Sequence, residues 1–312
     1  MTKPPAHFLD LSDFEGPVLE DILATARTMK LARAGLPKGV RDKSEPLKGR
    51  VLAMIFERPS TRTRVSFEMA MRQLGGDTLV ISINDMQLGR GETIPDTARV
   101  LSRYVDAIMI RAAKHAHLTG LAEGATVPVI NGLTDLSHPC QVMADVMTLE
   151  EHVGSLRDLT IAWVGDGNNV AASWVHAVAR LGGKLRLGCP AALKPPASLL
   201  NWAKGQKADV TITESAEEAV TGADCVITDA WSSMHDTDVV SRHNSLKPYQ
   251  VNRRLMEIAG RNAKFMHCLP AHRGEEVTDE VLDGPNSLVF DEAENRLHVQ
   301  KSILLHCLTP RG

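Results

Sequence analysis

Ser60-Thr61-Arg62-Thr63-Arg64 puts three hydroxyls and two guanidiniums at the start of a predicted helix, directly after an apolar run of strand length at 50–56. The first turn of a helix carries unpaired backbone N–H groups and a partial positive charge of about half a unit, so a dianion placed there is stabilised before any side chain acts. Arginine adds forked donors that suit phosphate oxygens. An ordinary N-cap accounts for a serine or threonine before a helix. It does not account for two arginines in the first turn, where they oppose the helix dipole, and an anion resolves that conflict. The run lacks the glycines and lysine of a GxxxxGK[ST] loop, so nucleotide hydrolysis is not implied.

Other polar groups also close apolar runs. Arg111 ends DAIMIR, where a strand-terminal arginine meets an acid, an anion or only solvent. His138-Pro139-Cys140-Gln141 follows VINGLTDLS and opens a helix. That sets the His138 imidazole and the Gln141 amide about one turn apart on one face, although a histidine that merely caps the helix fits the same pattern. Gly165-Asp166-Gly167-Asn168-Asn169 is similar to a dinucleotide loop, but asparagines stand where glycine would let the backbone approach a pyrophosphate. An Asn pair at a helix start suits a carboxylate or an amide. Asp229, after ADCVIT, offers a carboxylate to a substrate ammonium or a cap to a helix. His267-Cys268-Leu269-Pro270 sets a thiol beside an imidazole, which reads as a cysteine nucleophile or as a structural turn. Together these groups suit an anion on one domain and an amino acid on the other, and they demand neither a metal nor another cofactor.

The elements that must position them alternate. Strand-like runs stand at 50–56, 78–82, 107–111, 127–131, 160–164, 184–187, 225–228, 263–267 and 287–290, separated by helical stretches. Strands joined by such crossovers form parallel sheets covered on both faces, so the fold class is α/β: two doubly wound parallel-sheet domains joined by helices. The chain of 312 residues has room for two domains of roughly 150 residues each. The hinge is a helix at about 138–152, and the final helix, about 292–307, is long enough to pack back on the first domain. Ligands of such sheets bind outside the carboxyl ends of the strands, where crossovers diverge. With 35 Lys+Arg against 38 Asp+Glu, a formal charge of −3 gives no reason to expect nucleic acid or an anionic membrane. No stretch of 18 apolar residues occurs, and the start lacks the basic and apolar regions of a secretory signal, so a cytoplasmic protein is expected. Five cysteines without a C-x-x-C pair read as reduced thiols.

Over essentially its whole length the chain resembles the ornithine carbamoyltransferases. Ser60 to Arg64 together with His138-Pro139-Cys140-Gln141 is similar to the pair of motifs that marks transcarbamylases; His267-Cys268-Leu269-Pro270 and the Asp229 to Met234 loop resemble the ornithine branch. The resemblance implies a carbamoyl phosphate-binding domain at 1–147, with 293–312 packing back on it, and an ornithine-binding domain at 148–292. It implies a homotrimer whose active sites lie at subunit interfaces. Ser60, Thr61, Arg62 and Thr63 would bind the phosphate of carbamoyl phosphate, Arg111 the phosphate and carbonyl, and His138 and Gln141 the carbamoyl group. Gln87 of a neighbouring subunit and Arg296 of the final helix would complete that site. Asn169, Asp229, Ser233 and Met234 would meet ornithine, while Cys268 and Leu269 would lie beside the bound carbamoyl phosphate near the reacting amine. His235 stands where the family usually has glycine, which tolerates positive φ far more readily.

The implied reaction gives L-citrulline and phosphate, in arginine biosynthesis rather than catabolism. Arg62, Thr63, Arg111, His138 and Cys268 are the expected catalytic residues, and domain closure would align the reactants. A carbamoyltransferase for acetylornithine or putrescine is the nearest alternative, and a nicotinamide-dependent dehydrogenase a more distant one.

Overall fold

Short runs of Val, Ile, Leu and Met, each followed by a helix, give two sheets in which all strand pairs are parallel. A computed structural model describes residues 5–83, 86, 91–231 and 239–309. The chain divides into two units, Met1–Met143 with Arg296–Gly312, and Ala144–Asn295.

The first unit runs α1 (Gly16–Leu31), β1 (Val51–Phe56), α2 (Thr61–Gln73), β2 (Asp77–Ser82), α3 (Ile94–Leu101), β3 (Ala107–Arg111), α4 (His115–Gly124) and β4 (Val129–Leu133). Its sheet has the order β2-β1-β3-β4. Crossovers leave β1 toward β2 on one side and β3 lies on the other, so the topological switch point falls between the carboxyl ends of β1 and β3. Ile55, Ile108, Ile110, Leu118, Leu121 and Val129 form part of one buried cluster in this unit. Then α5 (Pro139–His152) leads into the second unit.

The second unit runs β5 (Thr160–Val164), α6 (Asn169–Leu181), β6 (Lys184–Gly188), α7 (Ala197–Gly205), β7 (Asp209–Thr213), α8 (Ala216–Val220), β8 (Cys225–Thr228), α9 (Val239–Leu246), α10 (Arg253–Ala259), β9 (Lys264–His267) and α11 (Asp279–Leu282). The last helix, α12 (Val289–Leu308), begins in this unit and ends in the first. The sheet order β7-β6-β5-β8-β9 repeats the logic of the first, with its switch point between β5 and β8.

Two sequence expectations are corrected. Residues 209–213 form an edge strand that carries no continuous apolar run; DVTIT is half-exposed, and its β-branched residues suffice on an edge. Conversely 287–290 is not a strand. Ser287 makes one bridge to Phe265, and Val289 already begins α12, whose first turn holds Asp291 and Glu292, acids that favour a helix start. Among the described residues no helix is long and apolar enough to cross a membrane.

The end of α12 is fixed to the first unit by a buried charge. Lys301, fully buried, lies 2.6 Å from Asp42 and donates to Gln73 Oε1 of α2 at 3.2 Å, while Asp42 also takes Arg33 at 2.6 Å. Burial pulls the Lys301 pKa down and the Asp42 carboxylate opposes that shift. Lys301→Ala, which leaves a cavity and an acid half-paired, should lower the unfolding free energy by about 3 kcal/mol in urea titration. A change within the scatter of the method would contradict this role.

Candidate functional site

In the first unit the polar strand ends converge on one hydroxyl. Ser60 is the N-cap of α2 with extended φ of −156°, yet its side chain makes no capping hydrogen bond. The helix therefore starts with its N-terminal donors uncovered by the residue best placed to cap them, and no acid stands in its first turn. Thr61 and Arg64 are exposed, Arg62 is half-buried, and Thr63 is fully buried. Thr63 Oγ1 accepts from Arg111 Nη1 at 3.4 Å, at the end of β3, and from Arg296 Nη2 at 2.9 Å. Two accepted bonds leave the hydroxyl proton of Thr63 to be donated elsewhere, and the oxygen sits in the first turn of α2. Arg296, 3% exposed, also donates from Nη1 to Gln141 Oε1 at 2.7 Å.

His138 precedes α5 and is buried. Burial, followed by the charges of Arg296, Arg111 and Arg62, holds its pKa well below the usual 6.5. The imidazole is therefore neutral near pH 7, with one N–H to donate and one nitrogen to accept. Sequence-predicted Ser60, Thr61, Arg62, Thr63, Arg111, His138, Gln141 and Arg296 all belong to this unit. The chemistry on offer is a dianion at a helix start and a polarised carbonyl beside it.

Glu57 is a partner that motif reading missed. Its Oε2 accepts from the Ala113 N–H at 2.7 Å, its Oε1 lies 2.6 Å from His117 Nδ1, and its own N–H donates to the Arg111 carbonyl at 3.0 Å. It ties the exits of β1 and β3 together, a link between positions 56 apart that no local pattern announces.

In the second unit the switch point carries a carboxylate. Asp229 Oδ2 accepts from Asn168 Nδ2 at 2.8 Å; its Oδ1 accepts from the Ala230 N–H at 2.8 Å and from the Cys268 thiol at 3.1 Å. Asn168 at the same time caps α6, accepting from Val170 and Ala171. The ends of β5, β8 and β9 thus meet on one acid. Asn169 opens α6 beside it. Asn168 is the member of the pair that orients Asp229, and its signal was its place before a helix. Gly167 serves packing: a Cβ there would stand 2.4 Å from Pro195 Cδ and 2.7 Å from the Leu193 carbonyl oxygen. Gln87, Ser233, Met234 and His235 lie outside the described residues.

Ligand atoms of Asp229, His267 and Cys268 lie within 4.8 Å of one another, as do those of His272, Glu275 and Glu276. In the first group both ring nitrogens of His267 already have protein partners, which makes it a hydrogen-bonded turn before it is a metal site. Burial and the Asp229 carboxylate push the Cys268 thiol well above its usual pKa of 9.0. A protonated thiol donates and does not attack, so the nucleophile reading gives way to the structural turn. Alkylation of Cys268 by iodoacetamide at pH 8 should therefore run at least about tenfold slower than that of a free thiol; reaction at the free-thiol rate, followed by peptide mass mapping, would refute the assignment.

Comparison with known proteins agrees over both units. The carbamoyl-P binding domain of the aspartate/ornithine carbamoyltransferase family matches residues 6–151, and its Asp/Orn binding domain matches residues 157–307. An ornithine carbamoyltransferase of Rhodopseudomonas palustris is 60% identical over 304 residues, 97% of either chain. Among solved structures, the ornithine carbamoyltransferase of Pyrococcus furiosus superposes with a TM-score of 0.93 at 44% identity, covering all of both chains. The anabolic ornithine carbamoyltransferase of Campylobacter jejuni does so at 0.88 and 36% identity, covering 96% of this chain and 98% of its own. The chain is a member of the aspartate/ornithine carbamoyltransferase family.

Proposed function

We propose that this chain transfers the carbamoyl group of carbamoyl phosphate to the δ-amine of L-ornithine, giving L-citrulline and phosphate, in cytoplasmic arginine biosynthesis and as a homotrimer. The observation that carries the reading is the buried Thr63 hydroxyl at the start of α2, which accepts from Arg111 and Arg296 and keeps its own proton for an anion. Relatives named ornithine carbamoyltransferase support the acceptor, and the likeness to the anabolic enzyme of Campylobacter jejuni supports the biosynthetic direction.

Each residue then has a chemical task. Ser60, Thr61, Arg62 and the N-terminus of α2 hold the phosphate. Arg111 reaches phosphate and carbonyl, and neutral His138 donates to the carbonyl oxygen, with Gln141 on the carbamoyl amide. Arg296 fixes Gln141 and Thr63 in place. On the acceptor side Asp229 meets the α-ammonium group, with Asn169, Ser233 and Met234 on the rest of the amino acid, while Gln87 of a neighbouring subunit completes the carbamoyl phosphate site. A δ-amine with an ordinary pKa of about 10.4 is mostly protonated in neutral water, so the site must take or make the neutral form. The freed nitrogen attacks the carbonyl carbon and an oxyanion forms under Thr63, Arg111 and His138. The C–O bond to phosphate then breaks, and the nitrogen's surplus proton leaves with the phosphate. Holding the two reactants in line supplies roughly 7–11 kcal/mol of the barrier reduction in well-aligned systems.

Acceptor choice is the direct test: ornithine, acetylornithine, putrescine and aspartate, each supplied with carbamoyl phosphate and scored by carbamoylated product. Ornithine should exceed the others by at least about a hundredfold in kcat/KM, since acetylornithine lacks the α-ammonium that pairs with the half-buried Asp229, putrescine lacks the α-carboxylate and aspartate lacks the δ-amine. Preference for another amine would overturn the acceptor. Arg111→Ala should cost about 10²–10³ in kcat while the protein stays folded, as loss of one oxyanion donor does elsewhere; activity within a few-fold of wild type removes Arg111 from the mechanism. Cys268→Ala should chiefly raise the KM for ornithine, and unchanged ornithine kinetics would make the thiol a bystander.

A further inference from the structure

The turn that leaves β9 holds a residue in an unfavourable conformation. Leu269 has φ of +56°, in the left-handed region that side chains other than Gly, Asn and Asp adopt reluctantly. Its N–H donates to His267 Nδ1 at 2.8 Å. A ring nitrogen that accepts carries a lone pair, so a neutral imidazole here has its proton on Nε2. That nitrogen lies 3.2 Å from Glu276 Oε1, and both side chains are fully buried. The carboxylate is anchored in turn, because Oε1 also accepts from the His272 N–H at 2.5 Å. Burial raises the Glu276 pKa, but the bonds from His267 and the His272 backbone outweigh it and the net shift is downward. The group is a carboxylate at neutral pH, opposite an imidazole N–H.

A buried Glu–His pair at the end of a strand is ordinarily read as a clip that holds β9 to the loop after it. Two observations give it more. The acceptor nitrogen is spent on the one backbone N–H that stabilises the left-handed residue, and the residue between them, Cys268, has its thiol on Asp229. The His267 N–H is held separately by Glu292 Oε2 at 3.0 Å, so the strand end does not need Glu276 to stay in place.

We infer that Glu276 and His267 form one positioning unit for the acceptor half of the reaction: Glu276 fixes the Nε2–H tautomer of His267, which frees Nδ1 to hold Leu269 and thereby sets the Cys268 thiol and the Leu269 backbone. The inference rests on the carbamoyl-transfer reading above. If wild-type protein makes no carbamoylated ornithine, that reading fails first and independently of Glu276.

The test compares Glu276→Met, similar in length but unable to accept, with Glu276→Gln, which keeps a neutral acceptor. Rates are taken per folded site. E276M should lower kcat and raise the KM for ornithine by about tenfold or more each, in the range seen when a group orienting a functional side chain is lost, with the Kd for carbamoyl phosphate changed less than about twofold. E276Q should recover most of that loss. E276M with wild-type kinetics, E276Q as impaired as E276M, or an equal loss on the carbamoyl phosphate side would each overturn the unit. Nitrogen-15 NMR of the wild-type histidines, with His267 assigned from His267→Asn, decides the matter even if E276M does not fold. Proton on Nε2 supports the unit, and proton on Nδ1 overturns it.

Discussion

Three guanidiniums close to one buried imidazole at the start of a helix form the constraint around which the first unit is arranged. Like charges gathered in a partly dry place repel, and the helix dipole adds to the repulsion. The fold holds them there with contacts that have nothing to do with a ligand. Arg111 ends a central strand, Arg296 is carried on a helix anchored by Lys301 and Asp42, and Thr63 accepts from both arginines. The consequence for His138 is direct: it stays neutral, and so can donate to a carbonyl oxygen without competing as a fourth cation. A doubly negative ligand turns the same charges from cost to binding energy. Ser60, in cap position, makes no capping bond to that helix start.

The second unit solves a different problem with the same topology. Its switch point gathers strand ends around a single carboxylate, Asp229, whose two oxygens take a side-chain amide, a backbone N–H and a thiol. The thiol pKa is raised by that neighbourhood, which makes Cys268 a donor. Behind it the His267–Glu276 pair determines which nitrogen is available to the turn. Cations gather at the switch point of one unit and a carboxylate stands at that of the other. In each unit these groups stand at strand ends where crossovers diverge, the place at which doubly wound sheets take ligands.

Much of this was legible in the sequence because strand-end residues follow apolar runs at fixed short distances. Ser60 to Arg64, Arg111, His138, Asp229 and Cys268 could all be placed in that way, and the α/β class followed from the alternation itself. What was not legible is the set of partners. Arg296 meets Thr63 across 233 positions, Asn168 meets Asp229 across 61, and Glu57 meets Ala113 across 56. Such pairs depend on sheet order, which periodicity does not encode. Strand β7 escaped because an edge strand need not be apolar, and 287–290 misled because three apolar residues before an acidic pair also fit the start of a helix.

The central claim is that a phosphate group sits on the first turn of α2. A crystal structure with carbamoyl phosphate or a phosphonate analogue bound tests it most directly. The account predicts phosphoryl oxygens within hydrogen-bond distance of the backbone N–H groups of residues 61–63, the Thr63 hydroxyl and the Arg62 and Arg111 guanidiniums. Ligand density away from that turn, or a Ser60 side chain folded back to cap the helix in the ligand's presence, would contradict it.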